Sequence, residues 1–129
     1  MEITDALAAF AAADTDIYAY AGSIDRTGYE EICARLAERE KKSKNALLYL
    51  CTGGGNPNAG YRIARAMIHS YGAENFRVAV PAECKSAGTL ICIGAAALVM
   101  FDQGELGPLD VQFQKQDEIF QQSSGLDIL

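Results

Sequence analysis

Residues 46–60 read Ala-Leu-Leu-Tyr-Leu-Cys-Thr-Gly-Gly-Gly-Asn-Pro-Asn-Ala-Gly, an apolar run followed at once by a glycine-rich turn. The continuous apolar run 46–51 is typical of a short strand buried on both faces of a parallel sheet. A helix is expected next, because Asn56 or Asn58 can cap a helix that has Pro57 near its first turn. The stretch therefore predicts a strand, a tight turn and a helix in direct succession.

The same alternation continues on both sides of this stretch. Strands are predicted at residues 16–22, 76–80 and 98–101, where apolar, aromatic and β-branched residues cluster. Helices are predicted over residues 27–42, opened by the capping box Thr27-Gly-Tyr-Glu30, from Pro57 to a stop at Gly72, and over residues 89–97, with residues 102–110 as a loop. Short strands alternating with helices predict βαβ units, so the fold class is α/β with a mostly parallel sheet flanked by helices.

Length and charge limit what the chain can do. A chain of 129 residues that is half hydrophobic is long enough for one core, so residues 1–129 are expected to form a single domain. The net charge of -6 argues against a nucleic-acid partner, since such binders neutralise phosphates with cations. The lysines 41, 42 and 44 are expected at the end of a helix, where they complement its dipole.

The cysteines and the single histidine give no ligand cluster, so neither a metal nor another cofactor is expected. The four cysteines form no C-x-x-C pair and are expected as reduced, buried thiols of a cytoplasmic protein. Residues 1–13 carry no positive charge ahead of their alanines and do not resemble a secretory signal. The apolar stretch 84–100 is too short and too interrupted to predict a membrane span.

Two loops of the predicted sheet carry unusual residues. In parallel α/β sheets the site lies at the carboxyl ends of the strands, here after residues 51, 80 and 101. Gly53, Gly54 and Gly55 free the backbone to turn N–H groups toward an anion or oxyanion, although a plain turn is the alternative. The run matches neither a Walker A loop nor a dinucleotide-binding fingerprint.

Ser86 follows the third predicted strand and precedes an apolar helix, within Lys85-Ser-Ala-Gly88. A hydroxyl at a helix start is favoured as a nucleophile by the helix dipole, and the small neighbours leave room for a substrate carbonyl. An ordinary serine N-cap is the alternative. Together, a serine and a glycine turn at one sheet edge predict acyl transfer through a tetrahedral oxyanion.

Four segments resemble the serine dehydrogenase proteinases, relatives of signal peptide peptidase A and the proteolytic subunit of Clp protease, within the ClpP/crotonase-like fold. The matching segments are Leu50-Cys-Thr-Gly-Gly-Gly-Asn-Pro-Asn-Ala-Gly60, Lys85-Ser-Ala-Gly-Thr89, and Val99-Met100 with Leu106-Gly-Pro-Leu-Asp-Val-Gln112. The resemblance implies a serine endopeptidase with Ser86 as nucleophile. It also implies that the N–H groups of Gly55 and Ala87 form the oxyanion hole beside Gly54.

Relatives usually carry proline at the positions of Gly53 and Val111. Neither position supplies a side chain to the chemistry, so both departures are expected to be tolerated.

The sequence does not identify one residue as the general base that accepts the proton of Ser86. The resemblance implies a histidine or a lysine with a lowered pKa. His69, the only histidine, is expected to be a structural or surface residue of a helix, far from the glycine turn, and Asp102 occupies the position of the Clp histidine. Lys85 is expected to face solvent or a neighbouring subunit, which leaves Lys115 as the candidate base. These relatives continue with further helices, so a C-terminally truncated chain with an incomplete dyad is one expectation.

The resemblance further implies a peptide or protein substrate and a homo-oligomer, with Tyr18, Tyr20, Phe113 and Phe120 as candidate interface residues. Two alternatives remain open. One is a crotonase-like acyl-thioester enzyme, which also uses two N–H groups but needs no serine at position 86. The other is a relative without catalysis that assembles or binds peptides.

Overall fold

The computed structural model describes residues 2–108, in which strands and helices alternate along the chain. The strands are β1 (Thr15–Ala21), β2 (Asn45–Cys51), β3 (Phe76–Val80), β4 (Glu83–Cys84), β5 (Ala97–Met100) and β6 (Glu105–Leu106). The helices are α1 (Ile3–Ala12), α2 (Arg26–Glu38), α3 (Pro57–Tyr71) and α4 (Ala87–Ile93), with a 3-10 turn at Ala73–Asn75.

Four strands form a parallel sheet in the order β1-β2-β3-β5. Its register places Leu48 of β2 between Tyr18 of β1 and Val78 of β3, and Val78 in turn beside Leu98 of β5. Parallel neighbours need crossover connections, and α2, α3 and α4 supply them. Because α3 packs against both α2 and α4, these helices form one layer. The predicted α/β class is confirmed.

The main core lies between the sheet and this helix layer. Leu48, Leu50 and Val78 are completely buried, as are Ile63 and Met67 from α3. The alternate strand position Leu47 is completely buried as well, so β2 is covered on both faces as the apolar run predicts.

Helix α3 has the predicted ends and α2 does not. The Asn56 side chain accepts the Ala59 N–H at 3.0 Å, and Gly72 ends α3 with a φ of +92°. In α2 the cap is Asp25, whose carboxylate accepts the Gly28 N–H at 2.7 Å. The predicted capping box at Thr27 is therefore wrong, because the preceding aspartate places a charged acceptor at the helix start.

Two further boundaries differ from the prediction. Helix α2 ends at Glu38, so the three lysines 41, 42 and 44 lie beyond it in a loop. Helix α4 covers Ala87–Ile93 rather than residues 89–97, since the residues from Ala97 onward join the sheet as β5 beside β3.

Two short strands were not predicted: β4, which precedes Ser86, and β6, which lies within the predicted loop 102–110, pair with each other in parallel. Strands this short have no periodicity to detect in a sequence. Their pairing brings the loop after β5 to the residues that precede Ser86.

Tyr18 and Tyr20 are buried in the core of this chain, so their prediction as interface residues is wrong. The Tyr18 hydroxyl bonds that of Tyr71 at 2.6 Å, and the Tyr20 hydroxyl donates to the Ser23 carbonyl at 2.6 Å. Aromatic residues with a hydroxyl fit a core when that hydroxyl finds a partner, which these do. Phe113 and Phe120 lie outside the described residues.

A buried carboxylate at the start of β1 organises the opposite end of the sheet from Ser86. Asp16 accepts the Tyr71 hydroxyl at 2.7 Å and the Ser43 N–H at 2.9 Å, and it pairs with Arg39 at 3.0 Å. Burial raises the pKa of Asp16, but these hydrogen bonds and the Arg39 charge outweigh it and hold the pKa below its ordinary value.

Candidate active site

Backbone hydrogen bonds join the glycine turn to the segment that carries Ser86. Thr52 donates its N–H to the Glu83 carbonyl at 3.0 Å and accepts the Lys85 N–H at 3.0 Å. These two bonds extend the pairing of β2 by one residue, to an isolated bridge between Thr52 and Cys84. The loops after β2 and β3 therefore meet at one sheet edge, where the sequence predicts a site.

Ser86 has a backbone conformation that is unusual for a residue with a side chain. Its φ is 51° and its ψ is -115°, in a region that costs such a residue on the order of 1–3 kcal/mol. It lies between β4 and α4, and a sharp strand-to-helix turn is one way in which a fold presents a nucleophilic serine.

The ordinary-cap interpretation of Ser86 is wrong, because its side chain makes no capping hydrogen bond. The residue is 8% exposed, and its hydroxyl has no hydrogen-bond partner within residues 2–108.

Gly54 lies directly against Ser86. A β-carbon at Gly54 would be 2.8 Å from the Ser86 β-carbon and 3.5 Å from its hydroxyl oxygen. The φ of Gly54 is +111°, in the left-handed region that favours glycine. The structure thus brings together the two loops that the sequence singles out.

Gly55 pairs with Ile24, and this pairing turns the backbone N–H and C=O of Gly55 away from Ile24. Ile24 donates its N–H to the Gly54 carbonyl at 2.9 Å, and its carbonyl accepts the Asn56 N–H at 2.8 Å. In parallel pairing, a residue flanked by two such bonds turns its own N–H and C=O to the other side of the strand. Within the described part of the chain, the Gly55 N–H donates to no acceptor.

Ala87 is the first residue of α4, where helical N–H groups have no intrahelical partner. Its N–H also lacks an acceptor among residues 2–108, whereas the next N–H, of Gly88, donates to the Lys85 carbonyl at 2.8 Å. Helix α3 approaches this point closely, because a β-carbon at Gly60 would be 2.9 Å from the Ala87 carbonyl oxygen.

Thr52 is a site residue that the sequence analysis did not identify. Its hydroxyl accepts the Gly54 N–H at 3.0 Å, and its side chain is 2% exposed. The alternation of β2 could have found it, since Thr52 continues the buried series of Leu48 and Leu50, and a buried hydroxyl requires a hydrogen-bond partner.

The Lys85 ammonium forms an ion pair with the Glu105 carboxylate at 2.6 Å, and its side chain packs over Gly107. Lys85 is partly exposed, as expected for a lysine that faces solvent, and the sequence analysis did not predict its carboxylate partner, which β6 places beside β4. His69 is exposed on α3, as expected, and Asp102 is exposed after β5. Lys115 lies outside the described residues.

The thiols of Cys84 and Cys92 lie 3.7 Å apart beneath the start of α4, and both are buried. Their mutual hydrogen bond and their burial raise the pKa of Cys84. Cys33 and Cys51 are only half-buried, which corrects the expectation of four buried thiols. Within residues 2–108 no group of histidine, cysteine and acidic side chains could hold a metal ion.

A depression of about 830 Å³ lies between α1 and the end of β5, but Ser86 is not among the residues that line it. Over residues 2–108, no helix is both long enough and apolar enough to cross a membrane.

At the level of sequence, no family model and no curated protein matches this chain. Solved structures do match it. One is the 1510-N membrane-bound stomatin-specific protease, as a lysine-to-alanine mutant in complex with a substrate peptide, with 22% identity and a TM-score of 0.54. That match covers 67% of this chain and 40% of the other. The serine-to-alanine mutant of the same protease matches with 20% identity and a TM-score of 0.54, over 67% and 42% of the two chains.

The catalytic domain of ClpP protease from Plasmodium falciparum matches with 14% identity and a TM-score of 0.52, over 77% of this chain and 62% of that one. The chain thus spans between 40% and 62% of the length of these structures. At such low identity the likeness establishes the fold, and it confirms the predicted relationship at that level. The chain has the α/β fold of the ClpP and signal peptide peptidase A-like proteases.

Proposed function

We propose that this chain carries the nucleophile of a serine endopeptidase, with Ser86 as the attacking residue. The observation that carries the proposal is the strained turn at Ser86, packed against the glycine turn at Gly54. A strained serine beside N–H groups that lack acceptors is the arrangement that acyl transfer needs. The likeness to protease structures adds to it, since the shared fold offers the same sheet edge.

In the proposed reaction, the Ser86 hydroxyl oxygen attacks the scissile carbonyl while its proton passes to a general base. The N–H groups of Gly55 and Ala87 stabilise the oxyanion of the tetrahedral intermediate. The base then gives the proton to the departing amine, and water hydrolyses the resulting Ser86 ester. Each donor of this kind is worth about 2.7–4 kcal/mol of transition-state stabilisation.

We assign the base to a lysine, with Lys115 as the candidate in this chain. Lys85 is engaged by Glu105 at 2.6 Å, and His69 is exposed on α3. One of the similar solved proteases is a lysine-to-alanine mutant holding a substrate peptide, which is in keeping with a lysine near a peptide site. The pKa of such a lysine must be lowered by burial for it to accept a proton near neutral pH.

The proposal includes a peptide or protein substrate, a homo-oligomer and a cytoplasmic location. In the described part of the chain, Leu98 and Met100 are exposed large apolar side chains of the edge strand β5, and Ile93 at the end of α4 and Leu106 in β6 are exposed as well. Apolar surface of this kind is typical of a covered interface. These residues replace Tyr18 and Tyr20 as the candidate contacts between subunits.

A fluorophosphonate probe tests the nucleophile, because it labels only an activated serine. We expect the wild-type chain to be labelled at Ser86, located by peptide mapping, and Ser86→Ala to be unlabelled. Ser70→Ala, on the far half of α3, is the matched control and should label like the wild type. An unlabelled wild-type chain would contradict the peptidase proposal and favour the crotonase-like thioester enzyme or the peptide-binding relative without catalysis.

A further inference from the structure

Helix α3 carries a positive stripe on a chain whose net charge is -6. No acidic residue occurs between Pro57 and Tyr71. Asn58, Arg62, Arg65 and His69 are spaced by four, three and four residues, which places them on one face of a helix. Arg62, Arg65 and His69 are all exposed.

This stripe is one wall of a groove between α2 and α3. Two adjacent depressions, of about 390 and 250 Å³, share Tyr29 and Arg62 in their lining. The first is also lined by Arg65 and His69, and the second by Arg26, Asn56 and Asn58. We call these two depressions together the arginine groove. No carboxylate is among the residues that line it.

The arginines of the groove are available for a ligand. Arg26 pairs with Glu30 at 3.3 Å, an exposed pair of the kind that contributes little to stability. Arg65 stacks over the ring of Tyr61, with the guanidinium carbon 5.7 Å from the ring centroid. Among residues 2–108, no carboxylate lies within ion-pair distance of Arg62 or Arg65.

The arginine groove begins at the sheet edge that carries Ser86. Asn56 directly follows Gly55, and the first turn of α3 approaches α4 closely at Gly60 and Ala87. From Asn58 to His69 the helix advances on the order of 16 Å. An extended peptide covers that distance with about five residues.

We propose that the arginine groove binds an acidic segment, about five residues long, of the polypeptide substrate. The identification of this polypeptide as a substrate rests on the proposed function, and the binding itself does not. Guanidinium groups bind carboxylates through paired hydrogen bonds, and the Tyr29 ring and the asparagine amides suit the remainder of a peptide. The chain as a whole repels a long polyanion, whereas a short acidic segment meets only the local charge, since charges are screened beyond about 8 Å at physiological salt.

The experiment measures fluorescence anisotropy of a labelled peptide with five consecutive glutamates, titrated with the 129-residue chain at low and at physiological salt. We expect binding that weakens as salt rises. Arg62→Gln/Arg65→Gln should weaken it roughly ten-fold or more, since the peptide carboxylates lose their charged hydrogen-bond donors. Lys41→Gln/Lys42→Gln removes the same two charges from another surface and should leave the affinity within about two-fold of the wild type.

Two further arms exclude other polyanions. A single-stranded DNA twelve-mer and phosphatidylserine vesicles should bind more weakly than the peptide. For these two ligands, the arginine double variant should lose no more affinity than the lysine double variant does. Stronger binding of either ligand, with the same dependence on Arg62 and Arg65, would overturn the proposal. So would equal loss of peptide binding in the two double variants, or no binding by the wild type.

Ser86→Ala separates this inference from the proposed function. The variant should bind the glutamate peptide like the wild type, because Ser86 does not line the arginine groove. If binding depends on Arg62 and Arg65 but no serine is labelled by the fluorophosphonate, the groove stands and the peptidase proposal fails. If Ser86 is labelled and the peptide does not bind, the reverse holds.

Discussion

The Thr52 hydroxyl accepts the N–H of Gly54 at 3.0 Å, and this bond fixes the glycine turn against Ser86. The other branch of the Thr52 side chain faces α4, because its methyl group would overlap a β-carbon placed at Gly88. One buried side chain thus contacts both the glycine turn and α4, which carry the two proposed oxyanion donors, the N–H groups of Gly55 and Ala87. A change of Thr52 should therefore alter the geometry of both.

Thr52→Val keeps the shape of the side chain and removes the acceptor. We expect the rate of fluorophosphonate labelling at Ser86 to fall at least about ten-fold, and the free energy of unfolding to drop by about 1–3 kcal/mol, because the Gly54 N–H loses its partner. Thr52→Ser is the matched control, since it keeps the hydroxyl and should recover most of the labelling rate. Equal labelling of the valine and serine variants per folded molecule would show that the hydroxyl does not position the turn.

Ser86→Gly should be more stable than Ser86→Ala. Both variants lack the hydroxyl, but only glycine adopts a φ of 51° with a ψ of -115° without strain. The expected difference in the free energy of unfolding is about 1 kcal/mol. Urea denaturation of the two variants measures it.

Ser86→Ala itself should lie within about 0.5 kcal/mol of the wild type, since no capping bond is lost. An alanine variant as stable as the glycine variant would mean that the turn stores no strain.

Most of the sheet could be predicted because buried parallel strands appear as apolar runs, as residues 46–51 do. The meeting of Ser86 with the glycine turn follows from the rule that places sites at the carboxyl ends of such strands. The β4–β6 pair could not be predicted, because two-residue strands depend on tertiary contacts alone. The Lys85–Glu105 ion pair could not be predicted for the same reason, since it forms only because β6 lies beside β4.

The sequence pattern also does not distinguish a buried tyrosine from an interfacial one. Tyr18 and Tyr20 alternate with residues of the opposite face, which is compatible with either location. Their burial depends on partners distant in sequence, above all Tyr71, which meets Tyr18 from α3. Gly55 shows the same limit, because only the fold reveals that a β-carbon there would overlap the Ile24 carbonyl oxygen. We therefore expect Gly55→Val to unfold this loop, so that a loss of activity in this variant would not report on the oxyanion hole.

Lys85→Gln tests whether the lysine next to the nucleophile acts as the base. The ion pair with Glu105 is partly exposed, with 35% of the Lys85 side chain and 61% of the Glu105 side chain accessible, so its loss should cost at most about 1 kcal/mol. We expect the labelling of Ser86 to stay within about three-fold of the wild type, because the ammonium is held by Glu105.

Lys115→Gln is the companion variant and should abolish the labelling. If instead Lys85→Gln abolishes it and Lys115→Gln does not, the base assignment passes to Lys85.

Asp16 should make the stability of the fold depend on pH in the acid range. Its pKa in the folded chain lies below the ordinary value of 3.8, so the charged form is favoured by folding. The stability from this carboxylate is therefore fully present above the ordinary pKa and is lost as the pH falls through the lower, folded value. Asp16→Asn should reduce the free energy of unfolding at pH 7 by about 2–3 kcal/mol, because hydrogen bonds from Tyr71 and Ser43 and the pair with Arg39 lose their charged acceptor.

The difference between wild type and Asp16→Asn should then narrow as the pH is lowered from 5 toward and below the folded pKa, which urea denaturation at a series of pH values measures. Asp5→Asn serves as the control, because Asp5 is exposed on α1 and its loss should change the pH profile little. A wild-type advantage that stays constant across the acid range would mean that the Asp16 charge is not linked to folding. If folding raised the pKa of Asp16, the stability advantage of the wild type over Asp16→Asn would grow as the pH falls. That result would contradict the lowered pKa.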